Sequence, residues 1–497
     1  MSGASPRLVV GVEVHVQLST ITKLFCRCPV AFGAEPNTLC CPVCLGHPGA
    51  LPVLNRAAVE QAIRAGLSLG CSVAPRGRTQ WDRKNYFYPD LPKGYQITQY
   101  EHPLCEGGSI PLEGGRAVRV RRAHLEEDTG KSSHAGDGTT VLDFNRCGVP
   151  LLEIVTEPDL GTPAEVEDYL RRLQERLRAA GASECSMEKG QMRCEPNVNL
   201  VRPDGSATAI SELKNLNSFA MARDAVAHEA RRLADGPWHA AGTTPPRVTL
   251  GWDDDRKASI LQRTKESAAD YRYFPEPDLP VLPADALAPM VEKAKADLAR
   301  AAEDRRTASG AAEEATTRYG LSPEQAALLL SGDARGTRFL DAARAAEAAG
   351  APAREAGTTL AAWFLGPLSG WVNARGGDWT SLRATAADLA AAHGLLRAGK
   401  ATPQSVKEHL LAGDWPAAGG DPEACLASKG LLGGAAAEDA VRAACAEVVA
   451  ANPEVVAKIR GGKVQAKAAL VGQVMKKSRG AADPSRVGAI LDELLGS

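Results

Sequence analysis

Long hydrophobic runs are missing from this sequence. No stretch of its 497 residues approaches the roughly 20 apolar residues of a membrane helix, so no membrane association is expected. Met1 to Val10 lacks the layout of a secretory signal, and a soluble, cytoplasmic protein is expected. A charge excess is missing too. Lys and Arg number 58 against 60 Asp and Glu, a net charge of −2. A nucleic-acid binder of this composition must carry a local basic patch rather than a basic chain. Neither the G-x-x-x-x-G-K-[ST] phosphate loop nor the G-x-G-x-x-G fingerprint occurs. If the protein uses a nucleotide, it needs a less common site built from carboxylates and a metal.

With 44% hydrophobic residues over this length, two to four domains are expected. The composition turns Ala- and Leu-rich and helical near residue 283, and breaks again at Ala401–Pro403. Before residue 283, strands and helices mix. Val12, Val14, Val16 and Leu18 alternate with Glu13, His15 and Gln17, which puts valines on one strand face and polar residues on the other. Arg193, Glu195, Asn197 and Asn199 alternate in the same way. Asp204-Gly205 then turns the chain, and Ala209 to Lys214 returns antiparallel. Between these strands, Thr162 caps a helix, with Pro163 at its first position and Glu165 closing a capping box. Val166, Tyr169, Leu170, Leu173 and Leu177 form its apolar stripe and Gly181 ends it. A second helix starts at Ser218 and stops by Gly236. Hairpins and long loops without regular strand–helix alternation indicate an antiparallel α+β domain.

Four patterns carry chemistry. Cys26-x-Cys28 and Cys41-x-x-Cys44 have the spacing of a closed, structural four-thiolate zinc site, with Cys40 as a neighbour easily mistaken for Cys41. The same spacing also suits buried free cysteines. Glu13 and His15 share a strand face, Glu126, Glu127 and Asp128 follow His124, and Glu195 and Glu212 lie on neighbouring strands. Inward carboxylates repel unless a cation intervenes, which suits magnesium. The alternative is a solvated face with ion pairs to Arg119, Arg121 and Arg193. Two segments, Arg83–Tyr95 and Asp270–Asp278, interleave basic and aromatic residues, as a base-stacking surface does, and as a rigid Tyr- and Pro-rich loop also does. From Asn452 to Gly480 lie Lys458, Arg460, Lys463, Lys467, Lys476, Lys477 and Arg479 against the single acid Glu454, with a turn at Gly461-Gly462. This is the local basic footprint expected of an RNA grip, or else a solvated helical face.

Together these segments resemble the B subunits of the bacterial and archaeal glutamyl/aspartyl-tRNA amidotransferase family. The matching text is Gly11–Leu18, Arg83–Gln99, His124–Lys131, Asn145-Arg146, Val149–Asp159, Met187–Asn199, Glu212–Ser218, Asp270–Pro280 and, near the end, Leu470–Lys476. The resemblance runs nearly end to end and is weakest between about 290 and 440. It implies a cradle domain at 1–290, distantly similar to glutamine synthetase, with a zinc knuckle at 26–44. A helical domain at 291–403 and a small all-α, tRNA-binding tail at 404–497 follow. It implies a ligase that uses ATP to phosphorylate the side-chain carboxylate of Glu-tRNA(Gln) or Asp-tRNA(Asn), and then amidates it. An amidase A subunit supplies ammonia from glutamine, and a small C subunit completes a heterotrimer. The positions matching the family's metal-binding residues are Glu13, His15, Glu127, Glu195 and Glu212, with Glu126 beside them. Glu195 stands where related sequences often carry Asp. Lys84 is expected on the ammonia path or at the acyl phosphate. The four cysteines match the family's zinc-bearing branch. The competing reading is a non-catalytic tRNA-binding scaffold, which the clustered carboxylates disfavour, because an RNA-facing groove should carry cations. A free-standing carboxylate–ammonia ligase is disfavoured by the lack of a nucleophile-and-base set for glutamine hydrolysis.

Overall fold

A computed structural model describes residues 5–134, 138–264, 271–331, 334–432, 435–460, 464–477 and 484–495. The chain divides into two units, Met1–Ala302 and Glu303–Ser497.

In the first unit the elements run β1 (Arg7–Gln17), α1 (Arg56–Ser68), β2 (Ser72–Val73), β3 (Arg78–Thr79), β4 (Asp82–Asn85), β5 (Tyr95–Thr98), β6 (Cys105–Pro111) and β7 (Ala117–Glu127). There follow β8 (Lys131–His134), β9 (Thr140–Asp143), β10 (Pro150–Thr156), α2 (Pro163–Ala179), β11 (Met192–Val201), β12 (Ala207–Thr208), β13 (Ile210–Lys214) and α3 (Phe219–Ala234). The unit finishes with β14 (Trp238–His239), β15 (Arg247–Asp253), β16 (Ala258–Thr264), β17 (Phe274–Pro275), β18 (Leu282–Pro283) and the start of α4 (Ala284–Glu313).

Eleven strands form one sheet whose main path is β16-β15-β13-β11-β1-β10-β7-β6-β2. Alternation in β1 and β11 comes out as the sequence dictates. Val10, Val12, Val14 and Val16 are buried, and the polar residues between them are part-exposed. The sheet is mixed, not wholly antiparallel. β13 pairs parallel with β15, because the chain between them passes through α3, a crossover that returns it in the same direction. The antiparallel return of β13 onto β11 is present, with Asn197 opposite Glu212.

The apolar face of the sheet packs against α1, α2 and α3 in one core. Thr162 caps α2 by accepting from the Glu165 N–H, and Val166, Tyr169, Leu170, Leu173 and Leu177 are its buried stripe. Each such side chain contributes about 1.5–3 kcal/mol of burial. The capping box differs from expectation. The Glu165 carboxylate accepts from Gly161 N–H and pairs with Arg116, since Arg116 draws it away from the Thr162 backbone. Ser218 caps α3 as expected.

The second unit is helical. One core runs from Ala315 to Leu431, straight through the composition break at Ala401–Pro403, around Phe339, Phe364 and Trp379. A separate small core is built on Leu470, Val474, Val487, Ile490 and Leu491. Among the described residues no helix is long and apolar enough to cross a membrane.

Candidate active site and metal centres

Paired residues on adjacent strands share a face, so registers show which side chains meet. Across β7, β10, β1 and β11, one row reads His124, Glu153, His15 and Arg193. The next row along β1 brings Glu13 opposite Glu195, and Glu212 reaches the same face through its place beside Asn197. This is the sheet face turned away from the helices.

Two acidic groups result. His15, Glu126 and Glu153 form the first; Glu13, Glu195 and Glu212 form the second. Within each, one ligand atom per residue lies within 4.8 Å of the others. His15 Nε2 is 3.3 Å from Glu126 Oε1 and 3.7 Å from Glu153 Oε2, and His124 Nε2 is 3.3 Å from the same Glu153 oxygen. Lys214 Nζ lies 2.8 Å from Glu195 Oε2, and Thr249 Oγ1 donates to Glu212 at 2.9 Å. Asn197 Nδ2 donates to Glu13 at 3.3 Å, while Asn197 Oδ1 is buried without a hydrogen-bond partner among the described residues. An orphaned carbonyl oxygen beside three carboxylates fits a hard cation, which takes oxygen ligands.

The electrostatics follow from this crowding. Burial would lower the His15 imidazole, but the Glu126 hydrogen bond and the charges of Glu126, Glu153 and Glu195 outweigh it and push it up to about 9. Burial would raise the Glu153 carboxyl, yet His124, His15 and Lys84 hold it well below the usual carboxylate range. The arginines considered as partners for this face are engaged elsewhere. Arg119 pairs with Asp159, Arg121 with Glu157 and Arg193 with Asp128.

Glu127 does not join them, which corrects the ligand set expected from the resemblance. Consecutive strand residues point to opposite faces, so Glu126 and Glu127 part company. Glu127 is buried on the other side, where it pairs with Lys93 and accepts from the Ile97 N–H at 2.9 Å. There it lines a cavity of about 140 Å³ with Lys23, Cys26, Cys44 and Lys93. Glu153 takes its place in the first group. Sequence reasoning missed it, although a lone carboxylate inside the apolar run Val149–Val155 was a signal. Lys23, fully buried, was missed as well.

Lys84 lies on β4, half-buried, with its ammonium 4.9 Å from the centre of the Tyr271 ring. Burial opposes its protonation, and the charges of Glu126 and Glu153 more than offset that, so its pKa is raised. The small sheet β17-β4-β5 carries this lysine and the Tyr271–Asp278 segment; Asp270 lies outside the described residues. Of the basic and aromatic residues here, Arg83 is structural. It pairs with Glu276, whose side chain is fully buried, and lies 4.3 Å over the Tyr95 ring. Phe87 and Arg272 remain exposed, their ring and guanidinium 5.7 Å apart.

The thiols of Cys26, Cys28, Cys41 and Cys44 also lie within 4.8 Å of one another. A turn with Leu45 N–H on Cys41 O and His47 N–H on Pro42 O brings the second pair round. Gly46, at φ 66°, closes it where a Cβ would overlap Lys93. A Cys26 hydrogen bond, helped by Lys23, pulls the Cys44 thiol down to about 4, towards the thiolate a metal binds. Cys40 stands outside the group, its sulfur 3.9 Å from Asn145 Oδ1. Four sulfurs so placed fit a tetrahedral zinc.

In the tail, Lys458 and Lys476 are exposed, whereas Lys467 pairs with Asp492 at 2.7 Å and Lys477 with Glu447. The Gly461-Gly462 turn, Lys463, Arg479 and the side chain of Arg460 lie outside the described residues.

Known proteins match this chain throughout. The GatB/GatE catalytic domain covers residues 8–287 and the GatB domain residues 347–495. The B subunit of the aspartyl/glutamyl-tRNA(Asn/Gln) amidotransferase of Anaeromyxobacter dehalogenans is 42% identical over 496 residues, 99% of each chain. That of Thermus thermophilus is 44% identical over 491 residues, 98% of this chain and 99% of its own. That of Myxococcus xanthus is 41% identical over 498 residues, 98% of each. With similarity running along nearly the whole of both partners, this chain belongs to the family of aspartyl/glutamyl-tRNA(Asn/Gln) amidotransferase B subunits.

Proposed function

We propose that this chain is the activating subunit of a tRNA-dependent amidotransferase, a carbon–nitrogen ligase of the cytoplasm. The γ-phosphoryl group of ATP passes to the side-chain carboxylate of a misacylated Glu-tRNA(Gln) or Asp-tRNA(Asn), releasing ADP. Ammonia, made from glutamine by an amidase A subunit held with a small C subunit, attacks the acyl carbon. The phosphate leaves and the amide remains.

The observation that carries this reading is the pair of acidic triads on one sheet face, anchored two residues apart on β1 at Glu13 and His15, about 7 Å between Cα atoms. Phosphoryl transfer depends on offsetting phosphate charge and holding acceptor and donor in line. Glu13, Glu195 and Glu212 would hold one magnesium, and Glu126 and Glu153 another, with His15 joining as a neutral imidazole once the cation displaces its proton. Magnesium bound there offsets charge on the phosphates and on the transferring group. Lys214 balances the rim of the site, and Lys84 offers donors to the activated carboxylate. Zinc in the four-cysteine group supports the fold and takes no part in the reaction. The small C-terminal helical core carries the tRNA grip, with Lys458 and Lys476 towards phosphates, and Arg272 and Phe87 form a stacking surface near the acceptor end.

ATP hydrolysis with and without mischarged tRNA tests this. The wild type should hydrolyse ATP in a tRNA-dependent way. Glu126→Gln and Glu195→Gln should each lose about 10²–10³-fold in amidation, with tRNA binding retained. Glu127→Gln, facing the other side, should lose less. If Glu126→Gln and Glu195→Gln both amidate at the wild-type rate, the carboxylates are structural and the scaffold reading replaces this one.

A further inference from the structure

Lys84 presents an anomaly. The charges of Glu126 and Glu153 act on its ammonium, yet among the described residues that ammonium makes no hydrogen bond or ion pair. What fixes it is an aromatic ring, Tyr271, at 4.9 Å. An ammonium left without a carboxylate partner keeps all three donors for an incoming group.

The segment that delivers Tyr271 is tightly held. Asn85, next to Lys84, donates its backbone N–H to Tyr271 O at 3.0 Å. Its side-chain Nδ2 donates to Tyr271 O at 3.0 Å and to Arg272 O at 2.8 Å. Arg272 sits at φ 44°, a left-handed conformation that costs a non-glycine residue and persists only when its surroundings impose it. Tyr273 follows, stacked on Tyr100 with centroids 4.2 Å apart and planes 7° from parallel, and 6.0 Å edge-on from Tyr271. Immediately after it, β17 pairs with β4, and Glu276 grips Arg83 through two hydrogen bonds. The strained residue thus sits between two anchored stretches, directly after Tyr271.

We propose that Tyr271 is a positioning residue for Lys84: the strap from Tyr271 to Glu276 holds the ring against the ammonium, and so aims its donors at the substrate's activated carboxylate. This rests on the assignment of Lys84 to the reaction given above. A carboxylate in the ring's place would hold Lys84 as firmly but would occupy its donors. The ring restrains the cation and leaves the donors free.

The test is steady-state kinetics of the assembled enzyme with mischarged tRNA, ATP and glutamine. Tyr271→Leu should lower kcat about ten-fold, the scale of a lost cation–π contact at a desolvated site, with KM for ATP and tRNA within about two-fold. Tyr271→Phe keeps the ring and should restore kcat. In a Lys84→Met background, Tyr271→Leu should cost nothing more, because the ring acts through the lysine. If Tyr271→Leu does not fold, Asn85→Ala loosens the same strap and should reproduce the kcat loss. An unchanged kcat in the Leu variant, no rescue by Phe, or an equal further loss in the Lys84→Met background overturns the proposal. If Lys84→Met alone turns over normally, it is the assignment of Lys84 that fails.

Discussion

Glu276→Ala is the perturbation that separates a local anchor from global stability. Its carboxylate makes two hydrogen bonds to Arg83, at 2.7 and 2.9 Å, and its side chain is fully buried. Removing one member of a buried ion pair costs about 3–5 kcal/mol, since the other charge is left behind. Arg83 is not wholly stranded. It is 19% exposed, keeps Asp278 at 3.1 Å and stays over the Tyr95 ring. The cost should therefore fall to about 2–3 kcal/mol, which favours opening of the strap roughly 30- to 150-fold. Hydrogen exchange reads this bond by bond. The amides of Asn85, bonded to Tyr271 O, and of Glu276, bonded to Trp81 O, should exchange faster by that factor. The amide of Val12, bonded to Thr156 Oγ1 in the central sheet, should not change. Glu276→Gln should give a smaller effect, because a neutral acceptor remains. Unchanged exchange at Asn85 and Glu276 would refute the anchor. Acceleration at Val12 by the same factor would show that the pair supports the whole unit and not the strap.

Metal analysis of the purified protein should find about one zinc per chain; Cys41→Ser and Cys44→Ser should each lose it, and Cys40→Ser should keep it. Lys458→Ala and Lys476→Ala should each flatten the slope of log tRNA affinity against log salt by about 0.7–0.9 in filter binding. Lys467→Ala, paired with Asp492, should instead lower the stability of the tail. Burial holds the His393 imidazole below its ordinary 6.5. The unfolded chain then takes up a proton that the folded chain refuses, so stability of the second unit falls as pH drops through 6.5 and recovers above it. In urea titrations His393→Gln should remove that part of the slope.

Much of the first unit is written in local pattern. The valines of β1 and the caps of α2 and α3 follow from spacing alone, because each is decided within a few residues. The parallel β13–β15 pairing is not local. It depends on α3 packing back across the sheet, which no window of sequence contains. The site divides in the same way. Glu13 with His15, and the choice of Cys41 over Cys40, are legible from alternation and spacing. Glu126-Glu127-Asp128 is ambiguous, since three adjacent acids fit either parity of a strand. Only the register of β7 against β10 decides which one faces His15. Glu153 stood inside an apolar run, and its role appears only when His15 and His124 are found on either side of it.

The opposed directions of Glu126 and Glu127 make β7 a shared wall. One carboxylate serves the open acidic face, and the next one along closes the cavity behind the cysteines. Such a wall has parity. Losing or gaining one residue before Glu126 would deliver each carboxylate to the wrong room and strand a charge in both. A two-residue change would keep the sides and shift only the position along the strand. The strand should therefore accept length changes in even steps and resist odd ones, a restriction that neither room alone would impose.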